Sequence, residues 1–174
     1  IALQGLHFFS GLVKLQPDRY HDKKTIIFYG GEPLMNRDVL RFTVKKIAEF
    51  KKMDLLPHKT KIIVVTNGTL IDDEDIRFFR EHDITLTFSI DGDGPATENR
   101  VYPDGKPAFE KIAGSYARCR DAGLDLNVAC TLTPRTLERM EESVNFLVNG
   151  LRIKNIGFNL LLDNGLIEVP PDYN

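Results

Sequence analysis

Tyr29-Gly30-Gly31-Glu32-Pro33 sets two glycines, an acid and a proline directly after the apolar run Ile26-Ile27-Phe28. Glycine has no Cβ, so a ligand can approach the main chain there, and peptide carbonyls can accept hydrogen bonds from an ammonium group. A tight turn is the plainer use of the same residues, with Pro33 closing it and Glu32 capping the next segment or pairing with a neighbour. Three more polar clusters follow apolar runs. Val65-Thr66-Asn67-Gly68 offers Thr66 and Asn67 to polar ligand atoms, although Asn-Gly alone is a common turn. Ser89 and Asp91 stand two residues apart on one side of an extended chain, placed to grip vicinal hydroxyls or the neighbours of a carboxylate. Arg100 follows in a polar loop, either as a surface arginine or as a fixed guanidinium able to hold a carboxylate at two points. Thr131-Leu132-Thr133-Pro134 is the last of the four.

Rival chemistries fail on spacing. A calcium loop opening at Asp91 needs an oxygen ligand and then a glutamate where Pro95 and Tyr102 stand. A dinucleotide fingerprint starting at Gly92 lacks its third glycine, and no phosphate-loop lysine is present. Cys119 and Cys130 fit no zinc or cluster spacing and read as reduced core thiols. His7, His21, His58 and His82 form no metal pair. A hydrolase would need metal ligands or a nucleophile and base, and neither is visible.

These clusters need a scaffold, and the hydrophobic periodicity supplies one. Apolar runs at 25–30, 61–66, 84–90, 124–131 and 155–162 predict strands. Helices are expected over 1–14, over 37–53 behind the cap Asn36, after the cap Asp72, over 108–123, and from Pro134 through 137–147. The stripe of the second helix is Val39, Leu40, Val44, Ile47, Ala48 and Phe50. Strands alternating with helices imply a parallel α/β sheet with right-handed crossovers. In such sheets ligands bind at the carboxyl ends of strands, and four decorated ends in a row favour a barrel-type site.

The chain has 174 residues, enough for one domain with a sizeable core. A net charge of −2 gives no global attraction to nucleic acid or anionic membranes. No apolar run reaches the ~18 residues of a membrane span, and no signal peptide is visible. A cytoplasmic location is expected.

Four segments taken together, FYGGEPLMN, VTNGTLID, SIDGDGPATENR and CTLTP, resemble the radical S-adenosylmethionine superfamily. The similarity is to the branch of sulfatase-maturing enzymes and peptide maturases, whose members usually carry a C-terminal SPASM domain. It implies an incomplete (β/α)6 partial TIM barrel, strands two to six of the family core. Residues 1–162 would be barrel elements and 163–174 a C-terminal loop. It also implies that Gly30, Gly31, Glu32 and Pro33 hold the methionyl ammonium of S-adenosylmethionine. Ser89 and Asp91 would contact the cofactor near its ribose or carboxylate. Arg100 would bind the carboxylate, from a loop one residue different in length from the family's. Tyr29, Thr66 and Asn67 would line the substrate side, and strand 155–162 would back the adenine. The activity implied is reductive cleavage of S-adenosylmethionine at a [4Fe–4S] cluster, giving a radical that takes hydrogen from a peptide or protein. The family's three cluster cysteines precede the first helix, inside which this chain is expected to begin, so no metal ligand is expected here. The fragment alone is expected to be inactive, and to self-associate through the free edge of its first strand. The alternative from another class is a non-catalytic α/β module that binds a ligand or peptide.

Overall fold

The computed structural model describes residues 1–15 and 24–160. The expected tail at 163–174, the end of the last strand beyond Leu160, and His21 lie outside the described residues. In chain order the elements are α1 (Ala2–Leu15), β1 (Thr25–Phe28), a 3-10 turn (Pro33–Asn36), α2 (Arg37–Lys52), β2 (Lys61–Thr66), α3 (Asp73–Glu81) and β3 (Ile84–Ser89). There follow α4 (Phe109–Asp121), β4 (Leu126–Leu132), α5 (Pro134–Glu138), α6 (Met140–Asn145), a π turn (Phe146–Gly150) and β5 (Ile156–Leu160).

The strands form one parallel sheet in the order β1-β2-β3-β4-β5. Among the described residues each strand pairs only with its neighbours in sequence, and no switch point reverses the order. That is the topology of a partial barrel, with helices on one face. Two rows of side chains follow from the register. Phe28, Val64, Leu86 and Leu126 run across the helix-facing side, as do Thr66, Phe88 and Val128. They pack with Leu40, Val44, Ile47, Phe79, Ile112 and Tyr116 in a single core. Phe88 meets Tyr116 edge to face, with ring centres 5.3 Å apart, which ties α4 to the central strand.

The opposite face is graded. Ile27, Ile63 and Val65 make it apolar over β1 and β2. Thr85, Thr87, Ser89, Asn127 and Ala129 make it polar or small over β3 and β4.

The caps set the helix starts. The Asn36 side chain accepts from Val39 N–H, and Asp72 and Asp75 form a reciprocal capping box. Two sequence expectations need correction. Val39 is half exposed and Thr43 takes a buried place on α2 instead, because Thr43 Oγ1 satisfies itself on the Val39 carbonyl at 2.7 Å. The single helix expected through 137–147 is broken at Arg139, whose backbone (φ −113°, ψ 25°) leaves the helical region. Its side chain is drawn to Asp93 across the carboxyl ends of the strands.

Candidate functional site

Among the described residues, the sheet delivers Tyr29 to Pro33, Thr66 to Asn67, Ser89 to Arg100 and Thr131 to its carboxyl end. With strands about 4.8 Å apart, the glycine edge after β1 and Ser89 at the end of β3 lie roughly two strand spacings from each other.

Glu32 joins the first two loops. Its Oε1 accepts from Leu34 N–H at 3.1 Å and from the Thr66 hydroxyl at 2.9 Å, and its Oε2 accepts from Asn67 N–H at 2.8 Å. The Thr66 oxygen in turn accepts from Gly68 N–H at 3.0 Å. Asn67 Oδ1 accepts from both the backbone N–H and the hydroxyl of Thr69. Glu32, Thr66 and Asn67 therefore brace one another and hold the Gly30-Gly31 backbone in place. Gly30 has φ +139°, a region closed to most side chains. Gly31 has no such constraint, and a Cβ built on either glycine meets nothing within 4 Å. Neither glycine is required by a neighbour inside the protein, so the open edge can receive a ligand. Tyr29 stands beside it, largely exposed. With Gly31, Glu32, Pro33, Asn36 and Val39 it lines a cleft of about 270 Å³ against α2.

Asp91 and Arg100 are brought together. Arg100 Nε donates to Asp91 Oδ2 at 2.7 Å and Nη2 to Oδ1 at 2.8 Å, a two-point pair. Asp91 is buried, and its Oδ1 also accepts from Thr131 N–H at 2.8 Å. This locks the β3 loop onto the end of β4. A second latch sits two residues on, where Arg139 Nη2 donates to Asp93 Oδ2 at 2.7 Å and Ala96 N–H donates to Oδ1 at 3.1 Å. Burial raises the Asp93 carboxyl, but these two donors outweigh it and hold its pKa below the ordinary carboxylate value. Gly92 (φ +148°) is hemmed in, because a Cβ there would come 2.4 Å from Ser143 Oγ. Ser89 differs from these braced residues. It is only half buried, on the polar face beside Ala129, and its hydroxyl has no hydrogen-bond partner among the described residues.

The Asp93–Arg139 latch was not foreseen from sequence. Its one local signal was a second carboxylate in Asp91-Gly92-Asp93; the arginine is remote in the chain.

The resemblance implies two groups, and the residues fit them differently. The open Gly30-Gly31 edge and the free Ser89 hydroxyl suit the polar ends of S-adenosylmethionine. No group of three His, Cys, Asp or Glu that could hold a metal exists among the described residues. Burial pushes the Cys119 thiol up to about 12 and Cys130 up to about 11, which disfavours the thiolates that iron–sulfur ligation needs.

Residues 13–147 match the Radical SAM superfamily. The serine-type anaerobic sulfatase-maturating enzyme of Bacteroides thetaiotaomicron is 30% identical over 135 residues, which are 74% of this chain and 32% of that one. The structure of anSMEcpe with bound AdoMet and Kp18Cys peptide superposes with a TM-score of 0.74 at 22% identity, covering 91% of this chain and 42% of that one. Streptococcus suis SuiB bound to the precursor peptide SuiA gives a TM-score of 0.62 at 16% identity, over 94% of this chain and 34% of that one. The chain spans from about a third to half the length of the curated relatives it matches. The sequential parallel sheet, its decorated carboxyl end and the match over most of its length make this chain a member of the radical SAM superfamily.

Proposed function

We propose that the chain is part of the core domain of a radical SAM maturase that binds S-adenosylmethionine across the carboxyl ends of β1 to β4 and acts on a peptide or protein. The observation that carries this reading is the open Gly30-Gly31 edge facing the mouth that also holds the unpartnered Ser89 hydroxyl. The edge carbonyls would take the cofactor's ammonium and Ser89 its ribose or carboxylate end. Asp91 and Arg100, being paired, would shape this wall and leave only the outer guanidinium nitrogen for a carboxylate. Glu32 would act through the backbone it braces. S-adenosylmethionine, when bound and reductively cleaved, would supply the hydrogen-abstracting species, and the cluster ligands would come from outside the described residues. The apolar half of the open face, Ile27, Ile63 and Val65, would exclude water beneath the reacting groups. The peptide as substrate class is supported by the peptide complexes of anSMEcpe and SuiB. We place residues 1–162 in the barrel and the protein in the cytoplasm. Two free, buried cysteines accord with a reducing compartment, and no helix among the described residues is long and apolar enough to cross a membrane.

Titration calorimetry with S-adenosylmethionine tests the site. Gly31→Val fills the open edge and should abolish measurable binding. Ser89→Ala removes one hydrogen bond, worth ~0.5–1.5 kcal/mol, and should weaken binding about two- to tenfold. Binding by Gly31→Val equal to that of the wild type would remove the glycine edge from the site.

A further inference from the structure

At the amino-terminal end of the sheet, away from the mouth, lies a pocket of about 200 Å³ between the end of α4, the start of β4 and the segment leading to β5. Tyr116, Arg120, Asp125, Arg152, Lys154 and Asn155 are the polar residues that line it. Tyr116 is only 2% exposed, yet its hydroxyl has no hydrogen-bond partner among the described residues. The hydroxyl reaches the open space of the pocket, where solvent meets it and a ligand can take the solvent's place. Burial also raises the Tyr116 pKa, keeping the phenol a donor.

The charges around this donor are uneven. Arg120 is engaged, with Nη1 on the Leu151 carbonyl at 3.1 Å and Nε on Asp121 at 2.9 Å. Asp125 uses Oδ2 to accept from the Thr85 hydroxyl at 2.8 Å. Arg152 and Lys154 are exposed and have no carboxylate partner among the described residues. The segment that carries them is anchored by buried Leu151 and Ile153. Arg152 holds a left-handed backbone, φ 57°, unusual for a residue with a side chain.

We propose that this pocket binds a phosphate dianion, held by the two unpaired cations Arg152 and Lys154 and by the Tyr116 hydroxyl as donor. Two cations match a dianion better than a carboxylate, and Asp125, whose Oδ2 accepts from the Thr85 hydroxyl, takes back only part of that attraction. The site is independent of the cofactor site at the other end of the sheet.

The test is calorimetric titration of the protein with inorganic phosphate at about pH 8, where the phosphate group is dianionic, at constant ionic strength. Lys154→Gln and Arg152→Gly should each weaken binding by about tenfold, and Tyr116→Phe by about threefold. Tyr116→Phe deletes no hydrogen bond inside the protein, and Arg152→Gly relieves a left-handed residue. Both should therefore melt at or above the wild-type temperature without phosphate, which separates lost binding from lost fold. Acetate should bind at least about tenfold more weakly than phosphate. Methyl phosphate binding as tightly as inorganic phosphate supports an ester as the ligand, whereas clearly weaker binding supports free phosphate. The absence of saturable phosphate binding, unchanged affinity in all three variants, or acetate binding as tightly as phosphate would overturn the proposal.

Discussion

At the scale of single residues, Glu32 carries more of the site's shape than any side chain that faces open space. Three donors converge on its carboxylate, so Glu32→Ala orphans the Asn67 and Leu34 N–H groups and the Thr66 hydroxyl together. The expected loss is about 2–4 kcal/mol in urea unfolding, while Glu32→Gln, which turns one acceptor into a donor, should cost about 1–2 kcal/mol. A similar contrast separates two glycines. Gly68 has φ +75°, and a Cβ there would lie 2.6 Å from the Phe88 ring, so Gly68→Ala should cost about 2–3 kcal/mol. Gly31→Ala meets nothing and should change stability by less than about 0.5 kcal/mol. The sequence marked both glycines through their position after a strand, and it offered capping or pairing for Glu32; the structure shows both uses at once. It did not show that Arg100 pairs with Asp91, because proximity across a loop is a tertiary fact.

At the scale of elements, Asn36 and Asp72 made helix starts legible, since a cap and its N–H partner lie within one turn. The break at Arg139 was hidden, because the apolar pattern from Leu137 to Leu147 runs on through it. At the break, the Arg139 side chain is bound to a carboxylate on a distant loop. That latch has a pH signature. The folded state holds Asp93 below its ordinary value, so its contribution is complete above about pH 4 and fades as pH falls through the lowered folded pKa. Urea melts from about pH 6 to 3 should show a shallower acid limb for Asp93→Asn than for the wild type. Asp72 keeps the limb from vanishing, because its pKa is also lowered, chiefly by the Asp75 N–H. An unchanged slope would mean that the Asp93–Arg139 pair does not persist in solution.

At the scale of the whole molecule, parallel pairing was legible from the alternation of strand and helix, and the strand order from the run of decorated strand ends. The grading of the open face from apolar to polar was not, because it depends on register across strands. Amide hydrogen exchange should rank the strands by position. β3, flanked on both sides and mostly buried, should exchange slowest, and β1 and β5 fastest. If β1 is as protected as β3, the edge that has no strand partner among the described residues is covered in solution, as self-association through that edge would require. The order of the strands also bears on how the chain is made. Each strand docks on the one synthesised just before it, with only a helix and its loops between, so the growing polypeptide never has to wait for a distant partner or thread past one. The sheet can assemble in step with the ribosome, and its mouth is built one loop at a time, the glycine edge before the Ser89 wall.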